Sequence, residues 1–190
     1  MRPDSSTPGS NNHVPRSTHE DGELRALTEH GIEGGAVTAS YTLNPVEVVE
    51  MLNVALATEV VCFLRYRRHY FLARGIHSES VKAEFKTHGA EELAHADMLA
   101  TRILQLGGTP DFSPSGLSKG QSGYGAATDL RGMIAENLVA ERVAIESYRG
   151  LILFVGNADS TTRRMLEEIL AKEEEHADDL AGLLGNVDPR

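Results

Sequence analysis

Four long stretches of the chain carry apolar residues at every third or fourth position, with polar residues between them. This spacing is typical of amphipathic helices that bury one face. Residues that favour helix starts, such as Asn44-Pro45, precede the stretches, and glycines such as Gly75 follow them. The sequence therefore predicts four helices, over residues 44–74, 78–106, 128–155 and 160–185.

The connections predict how these helices are arranged. The first and third connections are short, so each joined pair of helices should be antiparallel. The middle connection spans residues 107–127, about 21 residues rich in Gly, Ser and Pro, which is long enough to return along a bundle. We therefore predict an all-α four-helix bundle with one long crossover connection between the second and third helices.

The N-terminal segment has a different composition. Residues 1–40 show no apolar period, and 13 of the first 22 residues are Ser, Thr, Pro, Gly or Asn. Such a composition cannot bury enough apolar surface to fold alone. We predict a disordered extension over residues 1–40 and the bundle over residues 41–186.

Composition and charge narrow the function classes. The single cysteine, Cys62, excludes a disulfide framework and any cysteine-based zinc or rubredoxin-type iron site. The formal net charge of −10 repels nucleic acids and anionic membranes, so we expect neither as a partner. The sequence has no apolar run long enough for a membrane span and no signal-peptide pattern, so we expect a cytoplasmic protein.

Charged and imidazole side chains interrupt every apolar stripe near its middle. Each helix carries a Glu there, and the second and fourth helices carry a His three residues later, giving the set Glu59, Glu92, His95, Glu141, Glu173 and His176. Each Glu lies 13 to 15 residues beyond the predicted start of its helix. At a rise of 1.5 Å per residue, all four lie about 20 Å along their helices. The six side chains should therefore converge at one level of the bundle.

A group of four buried carboxylates requires compensating positive charge. Each buried carboxylate costs several kcal/mol without a partner, and like charges repel. Two divalent ions would neutralise four Glu, and two His would add neutral nitrogen ligands. Carboxylate-rich sites with imidazole suit iron or manganese better than copper. The alternative is that these residues lie on the surface or form hydrogen bonds with other groups of the protein, without binding a metal.

Four segments around these residues carry a resemblance to a known family. They read TEVVCFLRY at 58–66, EELAHAD at 91–97, LVAER at 138–142 and EEEHAD at 173–178. Through them, residues 41–184 resemble bacterioferritin-type members of the ferritin-like superfamily and their Dps-like relatives. The resemblance implies a di-iron ligand set in which Glu92 and Glu173 bridge, Glu59 and His95 complete one iron, and Glu141 and His176 complete the other.

The resemblance also implies a function. Family members act as ferroxidases, which oxidise Fe(II) with O2 or H2O2 and store Fe(III) mineral inside a hollow shell. Two irons per subunit are therefore expected. Haem-binding bacterioferritins carry Met where this chain has Leu93, so no haem is expected. The chain lacks the family's fifth helix, which favours a dodecameric homo-oligomer over a 24-mer.

Other residues near the six admit two interpretations. Tyr66 lies two turns after Glu59 and Tyr148 two turns after Glu141, so each phenol either serves the irons, by donating an electron or bonding a ligand carboxylate, or is a satisfied core residue. We include Tyr66, together with the six Glu and His residues, among the candidate catalytic residues. His88 is either an auxiliary ligand or, as we favour, a buried hydrogen-bonded histidine.

Two smaller predictions concern the first helix. We expect Cys62 to behave as a small core hydrophobe. We expect the basic cluster Arg65, Arg67, Arg68 and His69 to form a solvated face or a subunit contact.

Two further functions compete with iron storage. One is a di-iron or di-manganese enzyme on the same bundle, of the peroxidase, catalase or oxygenase type. An oxygenase should have an open pocket for an organic substrate, and the filled aliphatic stripes do not suggest one. The other is a Dps-like DNA-protecting protein, against which the acidic charge argues.

Overall fold

The computed structural model describes residues 18–29, 32–120 and 125–187. Within these residues it is helical and contains no strand. The helices are α1 (Thr18–Glu29), α2 (Pro45–Leu72), α3 (Ser78–Gln105), α4 (Pro114–Leu117), α5 (Leu130–Val155) and α6 (Ser160–Val187), with a 3-10 turn at Ile32–Gly34.

The four long helices form the predicted bundle. Helix α2 packs along α3 and α5 along α6, while α2 also contacts α5 and α3 contacts α6. At the C-terminal end of α2, Arg68 Nη1 donates to the carbonyl oxygen of Ala127, three residues before α5 begins. Helices α3 and α5 therefore start at the same end of the bundle, which confirms the long crossover.

The sequence predicts Ser78 and Ser160 as the N-caps of the second and fourth long helices, but neither serine is the cap. Asp159, not Ser160, caps α6, because its Oδ1 accepts a hydrogen bond of 2.9 Å from the backbone N–H of Thr162. Ser78 is the first residue of α3, and its hydroxyl donates to the carbonyl oxygen of Gly75. In both places the helix begins one residue earlier than a Ser cap requires.

The crossover packs against α2. Asn53 on α2 donates to the carbonyl oxygen of Thr109 and accepts from the backbone N–H of Asp111. A Cβ at Gly120 would lie 3.0 Å from the backbone of Ala57, so glycine permits this close approach. The crossover also contains the short helix α4, where we predicted no secondary structure. Residues 121–124 lie outside the described part of the chain.

The N-terminal segment contains a helix that its composition did not predict. Helix α1 has a local ion pair of 2.8 Å between Arg25 and Glu29, which are four residues apart. Such a pair supports an isolated helix only weakly. Residues 1–17, 30 and 31 lie outside the described part of the chain, and disorder across them stays a prediction.

Two apolar clusters fill the bundle along its length. The first is mainly aliphatic and includes Val48, Leu52, Leu99, Ile103 and Leu166. The second groups Tyr66, Val81, Phe85, Met133, Ile134 and Leu180 with neighbouring residues. The carboxylates and imidazoles considered below come from the same four helices. No helix in the described residues is long and apolar enough to cross a membrane.

Candidate metal centre

The structure brings the six predicted ligand residues together inside the bundle. All six are buried, and they come from α2, α3, α5 and α6. They form two groups whose ligand atoms lie within 4.8 Å of one another: Glu59, Glu92, His95 and Glu173 in one, and Glu92, Glu141, Glu173 and His176 in the other. Glu92 and Glu173 belong to both groups, which suits two ions that share two carboxylates.

Both imidazoles turn Nδ1 toward the carboxylates. His95 Nδ1 lies 2.9 Å from an oxygen of Glu173 and 3.3 Å from an oxygen of Glu59. His176 Nδ1 lies 3.4 Å from Glu92 and 4.0 Å from Glu141. The Glu-x-x-His spacing produces this, because residues three apart lie on one helix face.

Several ligand atoms lack hydrogen-bond partners. Among the described residues, both carboxylate oxygens of Glu92 and Glu173, one oxygen of Glu141 and Nδ1 of His176 make no hydrogen bond of good geometry, although His95 Nδ1 lies 2.9 Å from Glu173. Unpaired buried polar atoms are rare in folded proteins, because each loses its interaction with water. A set of unpartnered oxygen and nitrogen acceptors that face one another fits two divalent cations.

The carboxyl groups differ in their proton affinity. Burial raises the pKa of Glu92 well above its usual range, and the nearby charges of Glu173, Glu141 and Glu59 raise it further. Burial and the charges of Glu59 and Glu141 likewise raise the pKa of Glu173. Burial would also raise the pKa of Glu59, but hydrogen bonds to His95 and Tyr148 help to outweigh it, and this pKa is lowered. Of these three carboxyl groups, the two shared ones are therefore the costlier to ionise.

Neighbouring side chains hold the ligands in place. The Tyr148 hydroxyl donates to Glu59 Oε1 at 2.6 Å, and the Tyr66 hydroxyl donates to Glu141 Oε1. Both phenols therefore bond a candidate ligand carboxylate, a contact that agrees with both sequence interpretations. Groups that hydrogen-bond to metal ligands fix their orientation and basicity.

Glu91 is a third orienting residue, which the apolar stripes did not indicate. Its Oε2 lies 2.8 Å from His176 Nε2, so it binds the side of the imidazole that faces away from the other ligands. Lys172 Nζ lies 3.7 Å from the other oxygen of Glu91. The available signal was the position of Glu91 directly before Glu92, but only the packing of α3 on α6 shows what it contacts.

Removing the Tyr66 hydroxyl tests this orienting role. In Tyr66→Phe we expect affinity for divalent ions at the centre to fall by roughly 10- to 100-fold, because Glu141 loses the partner that positions it. Calorimetric titration with Co(II) measures the effect. Tyr70→Phe is the matched control, since Tyr70 lies on the same helix and is not among the centre's residues. Equal affinities in the two variants would contradict the assignment.

The prediction that the basic cluster forms a solvated face or a subunit contact is wrong for two of its four residues. Arg65 and His69 are buried, and Asn137 on α5 links them. Arg65 Nε donates to Asn137 Oδ1 at 3.0 Å, while Asn137 Nδ2 lies 3.1 Å from His69 Nδ1. Arg65 also donates to the sulfur of Cys62 at 3.0 Å, so this buried thiol has a polar partner as well. Apolar periodicity could not reveal a buried polar layer across α2 and α5.

A cavity of about 390 Å³ lies between α2 and α5 and reaches the centre. Its walls are mainly apolar, and Glu59 and Tyr148 line it. The filled aliphatic stripes did not suggest this pocket. The cavity offers small molecules a route to the Glu59 side of the centre.

The comparison with protein families agrees with this geometry. A family model described as a ferritin-like domain matches residues 49–188. The chain belongs to the ferritin-like family. Within that family it is 32% identical over 143 residues to a protein of Synechococcus sp. named nutrient stress-induced DNA-binding protein, covering 73% of this chain and 81% of that protein.

Two further relatives place this ferritin-like chain among bacterioferritin homologues. It is 29% identical over 134 residues to the bacterioferritin of Mycobacterium leprae, covering 70% of this chain and 80% of that protein. It also resembles the solved structure of the bacterioferritin-related protein from Bacteroides fragilis, described as a dodecameric thioferritin. That match has a TM-score of 0.73 and 31% identity and covers 76% of this chain and 88% of the other.

Proposed function

We propose that this chain oxidises Fe(II) at the six-residue centre and stores the ferric product inside a homo-oligomeric shell. The observation that carries the proposal is the pair of ligand groups, which share Glu92 and Glu173 within a single chain. The similarity to bacterioferritins supports iron as the metal that these groups bind. Iron is the substrate and cargo in this account, and haem has no part in it.

The arrangement favours oxidation of two ions together. Two Fe(II) ions release two electrons, which reduce O2 with two protons to H2O2, or H2O2 with two protons to water. Transfer from both ions avoids release of a one-electron radical product. The protein supplies geometry and negative charge: Glu59 and Glu141 each serve one ion and are held by Tyr148 and Tyr66.

We propose a dodecameric assembly. The support is the similarity to the Bacteroides fragilis protein, which is described as dodecameric. Exposed apolar residues on α2 and α5 offer surface for contacts between copies, among them Leu64, Phe71, Val139 and Val143. Burial of such side chains stabilises association.

Two rival functions each have one observation in their favour. The apolar cavity beside Glu59 is large enough for a small organic substrate, which favours an oxygenase-type enzyme. The Synechococcus relative is named as a DNA-binding protein, but the net charge of −10 opposes DNA binding here. The iron-storage proposal needs neither an organic substrate nor DNA.

Iron loading distinguishes storage from these alternatives. Excess Fe(II) is added in air to the purified protein, the particles are separated by sedimentation, and iron per chain is measured in the protein peak. We expect tens of irons per chain on a shell-sized particle, and a large loss of loading in Glu141→Ala with the helical signal retained. About two irons per chain on a small oligomer would instead indicate a two-metal enzyme.

A further inference from the structure

A separate cluster of potential metal ligands lies beside the centre, between α3 and α6. Glu84 and His88 on α3 and Asp179 on α6 each place a ligand atom within 4.8 Å of the other two. Glu84 and His88 are four residues apart, so they share one face of α3. None of these residues belongs to the six-residue centre.

The spacing around His88 suits a bound ion better than hydrogen bonds. His88 Nε2 lies 3.5 Å from Asp179 Oδ2 and 3.7 Å from Glu84 Oε2. Both distances exceed the 2.7–3.2 Å usual for N–H···O bonds. Ligand atoms that surround one cation tetrahedrally at roughly 2.1 Å lie about 3.4 Å apart. The observed gaps are close to that value.

The two ring nitrogens of His88 face different groups. Nδ1 lies 3.3 Å from the hydroxyl oxygen of Tyr66, whereas Nε2 faces the carboxylates of Glu84 and Asp179. A neutral imidazole that carries its proton on Nδ1 offers the lone pair of Nε2 to a cation. Two carboxylates and such a nitrogen repel one another unless a cation lies between them.

The imidazole is buried, whereas the cluster is open to ions. The His88 side chain is only 2% exposed, while those of Glu84 and Asp179 are 42% and 50% exposed. The His88 ring also stacks on the His176 ring, with centroids 4.1 Å apart. An ion can therefore reach this cluster from solvent and bind next to the centre.

We propose that Glu84, His88 and Asp179 bind a third divalent transition-metal ion. One imidazole nitrogen and two carboxylate oxygens suit Zn(II), Fe(II) or Mn(II), and water completes the coordination. This binding does not depend on iron oxidation at the centre, so it can be tested with a metal that has no redox chemistry.

Zinc titration of the full chain tests the third site. Calorimetry, with metal analysis of the dialysed protein, should give three Zn(II) per chain in the wild type. The double variant Glu84→Gln/Asp179→Asn should bind two, with unchanged affinity for those two and at least 100-fold weaker binding of the third. Glu84→His should retain three ions, because two histidines four residues apart on a helix form a zinc-binding pair.

The matched control is Glu79→Gln/Glu168→Gln, which removes one exposed carboxylate from α3 and one from α6. It should still bind three ions. The proposal is overturned if the cluster variant binds as many ions as the wild type and the control. Loss of all three ions in the cluster variant also overturns it, because a separate site leaves the centre loaded. A failed third site leaves the iron-loading result unaffected.

Discussion

Glu92→Gln is expected to abolish binding of two divalent ions while making the metal-free protein more stable. Glu92 belongs to both ligand groups, so a neutral amide in its place removes a shared anionic ligand from both ions. Fe(II) oxidation should slow by about 100-fold or more, since groups that merely orient ligands already contribute 10- to 100-fold.

The stability gain has a separate cause. Both carboxylate oxygens of Glu92 lack hydrogen-bond partners among the described residues, and three other buried carboxylates surround it. Because the pKa of Glu92 is raised, the metal-free protein must either bury its charge or bind a proton, and both cost folding free energy. A neutral Gln avoids this cost and should raise the free energy of unfolding of the metal-free protein by about 1–4 kcal/mol. Saturating Zn(II) should make the wild type the more stable of the two proteins. Binding of one ion at a concentration a thousandfold above its Kd raises the free energy of unfolding by about 4 kcal/mol.

Urea unfolding with and without Zn(II) measures both effects. The control is Glu79→Gln, which alters an exposed carboxylate on the same helix. It should change neither the free energy of unfolding of the metal-free protein nor the stabilisation by Zn(II) by more than about 0.5 kcal/mol. If Glu92→Gln destabilises the metal-free protein, the carboxylate is a satisfied structural group. If the variant still binds two ions with wild-type affinity, the ligand assignment is wrong.

Asp159→Asn is expected to cost about 3 kcal/mol of folding free energy. Arg102 Nη2 donates to both oxygens of Asp159, at 3.0 and 2.9 Å, and both side chains are nearly buried. Removing one partner of a buried pair leaves the other charge uncompensated, which costs about 3–5 kcal/mol. Asn keeps the cap on Thr162, so the loss should fall at the lower end of that range.

The same pair predicts how stability depends on pH. Burial alone would raise the pKa of Asp159, but hydrogen bonds from Thr162 and Arg102 outweigh it, and the pKa is lowered below 3.8. A carboxyl with a lowered pKa stabilises the fold above its unfolded pKa, and that contribution is lost as pH falls through its folded pKa. The wild type should therefore lose part of its advantage over Asp159→Asn below about pH 4.

Urea titrations between pH 7 and pH 3 check both statements. Asp97→Asn serves as the control, since Asp97 is an exposed aspartate on α3. A difference under about 0.5 kcal/mol between Asp159→Asn and the control at pH 7 would contradict the buried-pair account.

Local patterns predicted the bundle and the positions of the six candidate ligand residues. Glu59, Glu92, Glu141 and Glu173 stand at buried helical positions and at matching depths, and depth along a helix follows directly from residue number. The Glu-x-x-His spacing likewise placed His95 and His176 on the faces of their helices that point inward. These features depend on one helix at a time.

Features that depend on how helices rotate against each other could not be predicted. Arg65 is buried because Asn137 on α5 meets it, and no periodic pattern links residues so far apart in sequence. Glu91 was overlooked because its partner, His176, comes from a different helix. The role of Asp159 as a helix cap was not predicted because the residue lies in a connection, where there is no apolar periodicity to interpret.

The central claim is that one chain oxidises two Fe(II) ions together at one centre. Rapid mixing of anaerobic protein with increasing Fe(II), followed by exposure to O2, measures how many ions are oxidised in the fast phase. The account predicts a break at two Fe(II) per chain, and no fast phase in Glu92→Gln. A break at one Fe(II) per chain or fewer, or a fast phase of wild-type size in Glu92→Gln, would contradict it.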